Sequence, residues 1–577
     1  MPKDWRILPT APDEFIDSLS DYDPIIAQLL YNRGLRSQQD IDLFFNPEYS
    51  RLFDPFVFGD MKSAVARIEQ AILNQEKIMI HGDYDADGVT SSAVLFRALR
   101  AFGANVEVFI PHRELDGYGM NMRNVELFIS QGVKLLITVD CGITNVPEIA
   151  RLTEAGVDTI VTDHHEPPAI LPVAVALLDP KVADSGYPFP ELAGAGVAFK
   201  LVQALLKNEV LVENGRQEIA KYGGVEGFEK WLLDIVAIGT VADVAPLISE
   251  NRILVKWGLV VLEKTRNLGL QKLLDLISNK KIDTYTIGYQ IAPRLNAAGR
   301  MKHASAAFEL LVADNEADAA RLAGDLQKNN QDRQQITEGA VDIARQQFLL
   351  LDREQEVLFA YHEDWAPGII GLIAGKLSEE FYRPVVVMTD SNGAVVGSGR
   401  SIEGFNITNG LVVVQHLLSR FGGHSQACGF TLNSLEVMAD FQSGMLVKAK
   451  EEFAGNLPSP FIEADAELQY SEINWPILEQ LDRFEPFGEG NLKPRFILRD
   501  LELVSADTIG ADSQHFRLQV KQGTPKIFKM MLFGRARDWK DELQLGITFD
   551  AICEIDKNEW NGNREIQCKI IDLKVKK

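Results

Sequence analysis

The sequence predicts an α/β protein: a doubly wound parallel sheet, then a second α/β unit joined by a long helix, then a small C-terminal β-barrel. Three observations predict it. From Ile78 to about Ala245, short apolar runs alternate with polar loops and amphipathic helical stretches, the pattern of strands buried on both faces. Residues 316–351 contain no Pro and two isolated glycines, Gly324 and Gly339, in a stretch rich in Ala, Gln, Leu and Arg, which reads as one continuous helix. From about Glu463 onward, short apolar runs such as Phe496-Ile497-Leu498 and alternating ones such as Phe516-Arg517-Leu518-Gln519-Val520 fit a small antiparallel barrel.

The elements follow in order. Residues 1–55 read as a helical preface. Ile78–Ile80 is a buried strand, and Val89–Phe102 an amphipathic helix ended by Gly103. Val106–Ile110, Val133–Val139 and Val157–Thr162 are further strands, separated by helices that stop at Gly132 and Gly156. In the second unit Val357–Ala360 is a strand, Gly368–Phe381 a helix, Pro384–Met388 and Ala394–Gly397 strands, and Leu411–Leu418 a helix. The implied domains are 1–55, 56–315, the connecting helix 316–352, 353–458 and 459–577.

The 577 residues exceed what one core supports. No apolar run reaches the ~20 residues of a membrane span, and the N-terminus lacks a leader pattern. Four scattered cysteines, Cys141, Cys428, Cys553 and Cys568, form no CxxC pair, so a reducing, cytoplasmic compartment without structural zinc is expected. The net charge of −24 confines any nucleic-acid path to a local groove. From His515 to Lys577, 13 Lys and Arg stand against 9 Asp and Glu, a local basic excess.

The chemistry concentrates where parallel strands end, which is where open α/β sheets form ligand sites. His81-Gly82-Asp83-Tyr84-Asp85-Ala86-Asp87-Gly88 follows the first strand, Asp140-Cys141-Gly142 the third, and Asp163-His164-His165 the fourth. Converging carboxylates repel unless protonated or neutralised by cations. Asp85 and Asp87, two residues apart in a loop, can both aim inward, and Asp140 is placed to bridge two ions. Mixed imidazole and carboxylate donors suit Mn²⁺ better than an all-oxygen Mg²⁺ site, and two such ions perform phosphoester hydrolysis.

These motifs resemble the DHH phosphoesterases, which are named for the triplet found here as Asp163-His164-His165. The octapeptide from His81, the Asp140-Cys141-Gly142 turn and Gly239-Thr240-Val241-Ala242-Asp243-Val244 look like three more of the family's motifs. Ile291-Ala292-Pro293-Arg294-Leu295-Asn296-Ala297-Ala298-Gly299-Arg300, Gly422-Gly423-His424 through Gly429, and the stretch Arg483–Asn491 are similar to the family's bacterial single-strand exonucleases. The likeness spans roughly residues 50–577. It implies a DHH catalytic domain, a DHHA1 domain and a C-terminal OB-fold.

The resemblance implies a first ion on His81, Asp85 and Asp140, and a second on Asp87, Asp140, His164 and Asp243. His165 would contact the scissile phosphate, Asp163 would orient a histidine, and Asp83 reads as structural. Arg113, Ser398 and Arg400, joined by Arg294 or Arg300, look like a pocket for a terminal phosphate, and His424 like a backbone contact in the cleft between the two α/β units. Of the barrel's aromatics, Phe516, Phe528, Phe533 and Trp560 are candidates both for base stacking and for the core.

The implied activity is 5′→3′ exonuclease hydrolysis of single-stranded DNA to 5′-mononucleotides with two Mn²⁺ or Mg²⁺ ions, in DNA repair and recombination. Its partners would be single-stranded DNA with a 5′ end, a helicase and a single-strand-binding protein, with no membrane. The alternatives are a phosphoesterase for oligoribonucleotides or cyclic dinucleotides, and a non-catalytic single-strand-binding replication subunit.

Overall fold

The computed structural model describes residues 3–576 apart from Glu114, Tyr118, 278–280, Lys302, 351–354, Asn392, 511–512, Asp541 and 561–562. The chain forms two compact units: residues 52–245 with 253–459, and residues 1–51 with 246–252 and 460–577.

The first sheet of the larger unit contains β1 (Ile78–Gly82), β2 (Val106–Phe109), β3 (Leu135–Val139), β4 (Asp158–Thr162) and β5 (Ala176–Leu178) in the order β2-β1-β3-β4-β5. All its pairings are parallel. Every residue of β1 and β3 is buried, as a sheet covered by helices on both faces requires. Helices α1 (Ala86–Ala101), α2 (Gly194–Leu206) and α3 (Leu233–Ala242) pack against one another. α1 begins three residues before the Val89 start read from apolar periodicity, because Asp85 caps it: its carboxylate accepts from Asp87 N and Gly88 N, both at 3.0 Å.

Helix α4 (Ala292–Met301) leads toward the connecting helix α5 (Glu316–Leu349), which is continuous over 34 residues. The second sheet contains β6 (Leu358–Tyr361), β7 (Val385–Ser391), β8 (Ala394–Arg400), β9 (Leu418–His424) and β10 (Ala427–Leu432), ordered β9-β10-β8-β7-β6. Helix α6 (Pro367–Phe381) packs on β7 and β8. Leu411–Leu418 is not one helix. Helix ends at Val413, and Leu418 opens β9, an antiparallel partner of β10 whose paired glycines, weak strand formers, mask it in sequence.

In the other unit β11 (Phe496–Ile509), β12 (His515–Lys521), β13 (Ile527–Leu532), β14 (Thr548–Trp560) and β15 (Asn563–Val575) close on themselves, since β11 pairs with both β12 and β14. Phe516 and Phe528 are core residues and Phe533 is exposed; the Trp560 side chain lies outside the described residues. The helices Pro24–Asn32 and Gln38–Phe45 bury their apolar faces in this same core through Ile26, Leu29, Leu30 and Phe45. The preface therefore shares the barrel's core.

The Arg483–Asn491 stretch serves this core too. Its carbonyls surround the buried Arg252 guanidinium, which donates to Arg483 O, Phe484 O, Glu485 O and Pro486 O at 3.0–3.3 Å, and to Phe44 O at 2.8 Å. Replacing Arg252 with Ala leaves several carbonyls dry and unpaired, so a loss of about 3 kcal/mol or more is expected. Chemical denaturation of the full chain checks this; an unchanged midpoint would contradict it.

Candidate active site

Three loops at the carboxyl ends of parallel strands meet at one place. β1 runs two residues beyond its predicted end, so His81 is still inside the pleat, paired with Phe109 and Thr138. Its ring packs against Phe109 and Phe128, with centroids 5.6 and 5.8 Å away, and burial pushes the imidazole down to about 4. Asp83, the first residue past the strand, lies instead with Asp85 and Asp140, their carboxylate oxygens within 4.8 Å of one another. Asp83 Oδ1 is buried without a hydrogen-bond partner.

Asp87, in the first turn of α1, is held by the N-terminus of α2: its carboxylate accepts from Gly194 N at 2.7 Å and Ala195 N at 2.9 Å. A Cβ at Gly194 would stand 2.7 Å from Asp140 Cβ and 2.9 Å from Asp87 Oδ2, so only glycine lets this helix end approach. Asp140 turns the chain with φ +59°, a conformation Asp and Asn tolerate better than most residues. His164 Nε2 lies 3.0 Å from Asp140 Oδ1 and 3.9 Å from Asp87 Oδ2, while its Nδ1 lies 3.8 Å from Asp243 Oδ2, just past α3.

Burial and the neighbouring carboxylates hold Asp83, Asp87 and Asp140 well above the ordinary carboxylate range. Burial and Asp85 push Asp243 up to about 7. Such a crowd of acids is unfavourable unless it is protonated or binds cations. With His164 it is a hard oxygen-and-imidazole donor set, which fits divalent Mn²⁺ or Mg²⁺. Asp83 Oδ1, buried and without a hydrogen-bond partner, fits that donor set.

The two adjacent histidines differ sharply. Burial and the neighbouring His165 push His164 down to about 3, leaving it neutral, as a ligand must be. Burial would also lower His165, but Asp163 outweighs it through a 2.7 Å bond to Nδ1, and the imidazole rises to about 9. Asp163 is itself fixed by Ile143 N at 2.9 Å and His164 N at 2.8 Å.

Beside the carboxylates lies a cluster of cations. Arg113 stacks over the Tyr84 ring at 4.3 Å. Arg300 is pushed down to about 9 by burial and then by the charges of Arg113, Arg333 and Arg400. None of these four arginines forms an ion pair with a carboxylate among the described residues, and Arg113 Nε and Arg333 Nε are buried without partners. Arg300 donates to Gly368 O at 3.0 Å, and Arg400 Nη1 lies 3.4 Å from Ser398 Oγ. A Cβ at Gly371 of α6 would come within 3.1 Å of Ser398 Oγ and 3.3 Å of Arg400 Nη2. Half-buried guanidinium groups without a carboxylate partner suit an anion.

Two predicted residues stand outside this cluster. Arg294 donates to Gln327 at 2.7 Å and to Gln290 O at 2.5 Å. His424 ends the edge strand β9, exposed, its carbonyl accepting from Thr408 Oγ at 2.6 Å. Arg333, on α5, carried no signal in sequence. The motif around Arg294 does show its purpose: Asn296 Oδ1 accepts from Ala86 N at 2.8 Å, and Gly299 packs where a Cβ would lie 2.8 Å from Tyr84 O. It braces the carboxylate loop.

Family models match three segments: the DHH family N-terminal domain over residues 77–240, the DHHA1 domain over 354–449 and the RecJ OB domain over 464–572. The single-stranded-DNA-specific exonuclease RecJ of Bacillus subtilis is 36% identical over 96% of this chain and 68% of its own length. That of Haemophilus influenzae is 32% identical over 96% of both. The crystal structure of Thermus thermophilus RecJ in complex with Mn²⁺ covers 99% of this chain and 79% of its own, with a TM-score of 0.80 at 29% identity; the same protein is also known in complex with Mg²⁺. The carboxylate–histidine centre thus sits in a scaffold matched along nearly its whole length, and the chain belongs to the RecJ family.

Proposed function

We propose that this chain is a metal-dependent 5′→3′ exonuclease that shortens single-stranded DNA to 5′-mononucleotides. The observation that carries the reading is the cluster of Asp83, Asp85, Asp87, Asp140 and Asp243 around a neutral His164, which is costly without bound cations. RecJ relatives named as single-stranded-DNA-specific exonucleases, and a RecJ structure with Mn²⁺, support it.

Asp83, Asp85 and Asp140 would hold one ion, and Asp87, Asp140, His164 and Asp243 the other, with Asp140 shared. Asp83 stands here where the family resemblance pointed to His81. When bound, two such ions activate water and stabilise the leaving oxygen. The N–H groups of Gly194 and Ala195 would hold the Asp87 carboxylate in position and offset part of the effect of burial on it. Asp163 holds the proton on His165 Nδ1 and so orients the ring, and the charged imidazole would stabilise a non-bridging oxygen of the scissile phosphate. Arg113, Arg300, Arg333, Arg400 and Ser398 would grip the terminal 5′-phosphate, and a strand anchored by that end is cut from it. His424 and Arg294 would contact the backbone farther along.

A DNA substrate and buried free thiols fit the cytoplasm. A helicase that frees the strand and a single-strand-binding protein that coats it are the partners this reading needs. No helix among the described residues is long and apolar enough to cross a membrane.

Incubating end-labelled single-stranded and duplex DNA with Mn²⁺, Mg²⁺ or chelator tests the reading. Stepwise loss from the 5′ end of single strands, abolished by chelator, is expected; preferential digestion of a dinucleotide would sink it. Arg400→Ala should reduce discrimination between 5′-phosphate and 5′-hydroxyl ends by roughly tenfold or more, since charge-assisted bonds are among the strongest available. Competition between the two oligonucleotides reads it out.

A further inference from the structure

Residues Thr286–Ile291 form a π-helical turn immediately before α4, and turns of this kind recur at functional sites. The turn is firmly fixed. Ile287 and Ile291 are fully buried, and Thr286 Oγ donates to Lys281 O at 3.0 Å. Yet two large rings on it face solvent: Tyr285 is 56% exposed and Tyr289 70%. They stack on each other with centroids 4.7 Å apart and planes 24° from parallel. Ring surface left in water adds nothing to folding, so a rigid, exposed aromatic pair points to an external partner.

Its position names that partner. A Cβ at Gly288 would lie 3.8 Å from Val241 Cγ1, and Val241 is two residues ahead of Asp243 in the carboxylate cluster. Downstream, Arg294 presents a guanidinium hydrogen-bonded to Gln290 O and Gln327, with no carboxylate partner among the described residues. Two residues further, Asn296 braces the Asp85–Asp87 loop, and Arg300 belongs to the cation cluster. One short segment therefore joins exposed aromatic faces, a cation without a carboxylate partner among the described residues, and the carboxylate loop. A chain that alternates flat bases with phosphates matches this sequence of groups.

We propose that Tyr285 and Tyr289 form a stacking platform for the nucleobases of the strand engaged at the carboxylate cluster, with Arg294 on an adjacent phosphate. This rests on the nuclease reading above and extends it to how single strands are selected. Bases paired within a duplex have their faces covered by neighbouring pairs, whereas unstacked bases accept an aromatic surface whatever their identity.

The test uses the full chain, with Ca²⁺ replacing Mn²⁺ to slow cleavage. The probes are a 5′-phosphorylated oligonucleotide and an equally long one made abasic over its 5′-proximal positions. Binding is followed by fluorescence anisotropy. The wild type should prefer the normal oligonucleotide. The variant Tyr285→Ala/Tyr289→Ala should bind it roughly 10- to 100-fold more weakly while changing little toward the abasic one, and Tyr289→Trp should retain the preference. Equal losses on both probes, or no loss on either, would overturn the platform. Failure of the wild-type protein to bind or shorten either oligonucleotide even with Mn²⁺ would instead overturn the nuclease reading beneath it.

Discussion

Replacing Asp140 with Asn should reduce cleavage of single-stranded DNA about a thousand-fold or more, equivalent to ~4 kcal/mol of transition-state stabilisation, without unfolding the protein. Asp140 is the carboxylate common to both proposed ion sites, and it also contacts His164 at 3.0 Å. Asn keeps that contact and tolerates the φ of +59°, whereas Ala would add backbone strain. The sign of the stability change discriminates further. Burial and the surrounding acids raise the Asp140 carboxyl, so its charged form opposes folding of the metal-free protein at neutral pH, and the neutral amide removes that opposition. The metal-free variant should therefore melt no lower than the wild type, while losing most of the rise in melting temperature that Mn²⁺ gives the wild type. Thermal scans with chelator and with Mn²⁺ read both effects. Undiminished cleavage, or an undiminished Mn²⁺-induced rise, would remove Asp140 from the centre.

Much of this centre was legible because strand ends are legible. Buried apolar runs mark parallel strands, and the acids and histidines immediately after them necessarily gather at one edge; Asp85, Asp87, Asp140, His164 and Asp163 were found that way. His81 and Asp83 show the limit. The apolar run stops at Ile80, but backbone pairing carries β1 on to Gly82, and those two residues decide which side chain lies in the pleat beside Phe109 and Phe128 and which emerges past it. Arg333 and the Tyr285–Tyr289 pair are a different case. A long polar helix and a π-turn show no local sign of what tertiary folding sets beside them. The preface helices read as a separate segment because their amphipathic pattern says that a face is buried without saying against what; the barrel supplies that surface.

Replacing Asp163 with Asn should slow cleavage by roughly 100- to 10,000-fold through His165 and not through loss of metal. Asp163 does not belong to the clusters of closely spaced ligand atoms; its oxygens accept from Ile143 N, His164 N and His165 Nδ1. Its charge outweighs burial and raises His165 to about 9, so the imidazole is a cation throughout the neutral range. The raised value fixes the sign of the linkage. The ion pair stabilises the fold fully below the ordinary histidine value of about 6.5 and is lost as pH rises through about 9. The neutral amide cannot hold the cation, so in the metal-free variant His165 should titrate near or below its ordinary value. Bound divalent cations lower the value in either protein, which requires comparing wild type and variant in the same metal state. In the pH–rate profile the alkaline limb should move to lower pH in the variant, while its Mn²⁺-induced rise in melting temperature stays close to the wild-type one. NMR titration of the imidazole in metal-free protein gives the direct measurement. A His165 that still titrates near 9 without the Asp163 charge, or an unmoved alkaline limb, would show that the proton on Nδ1 is held by something else.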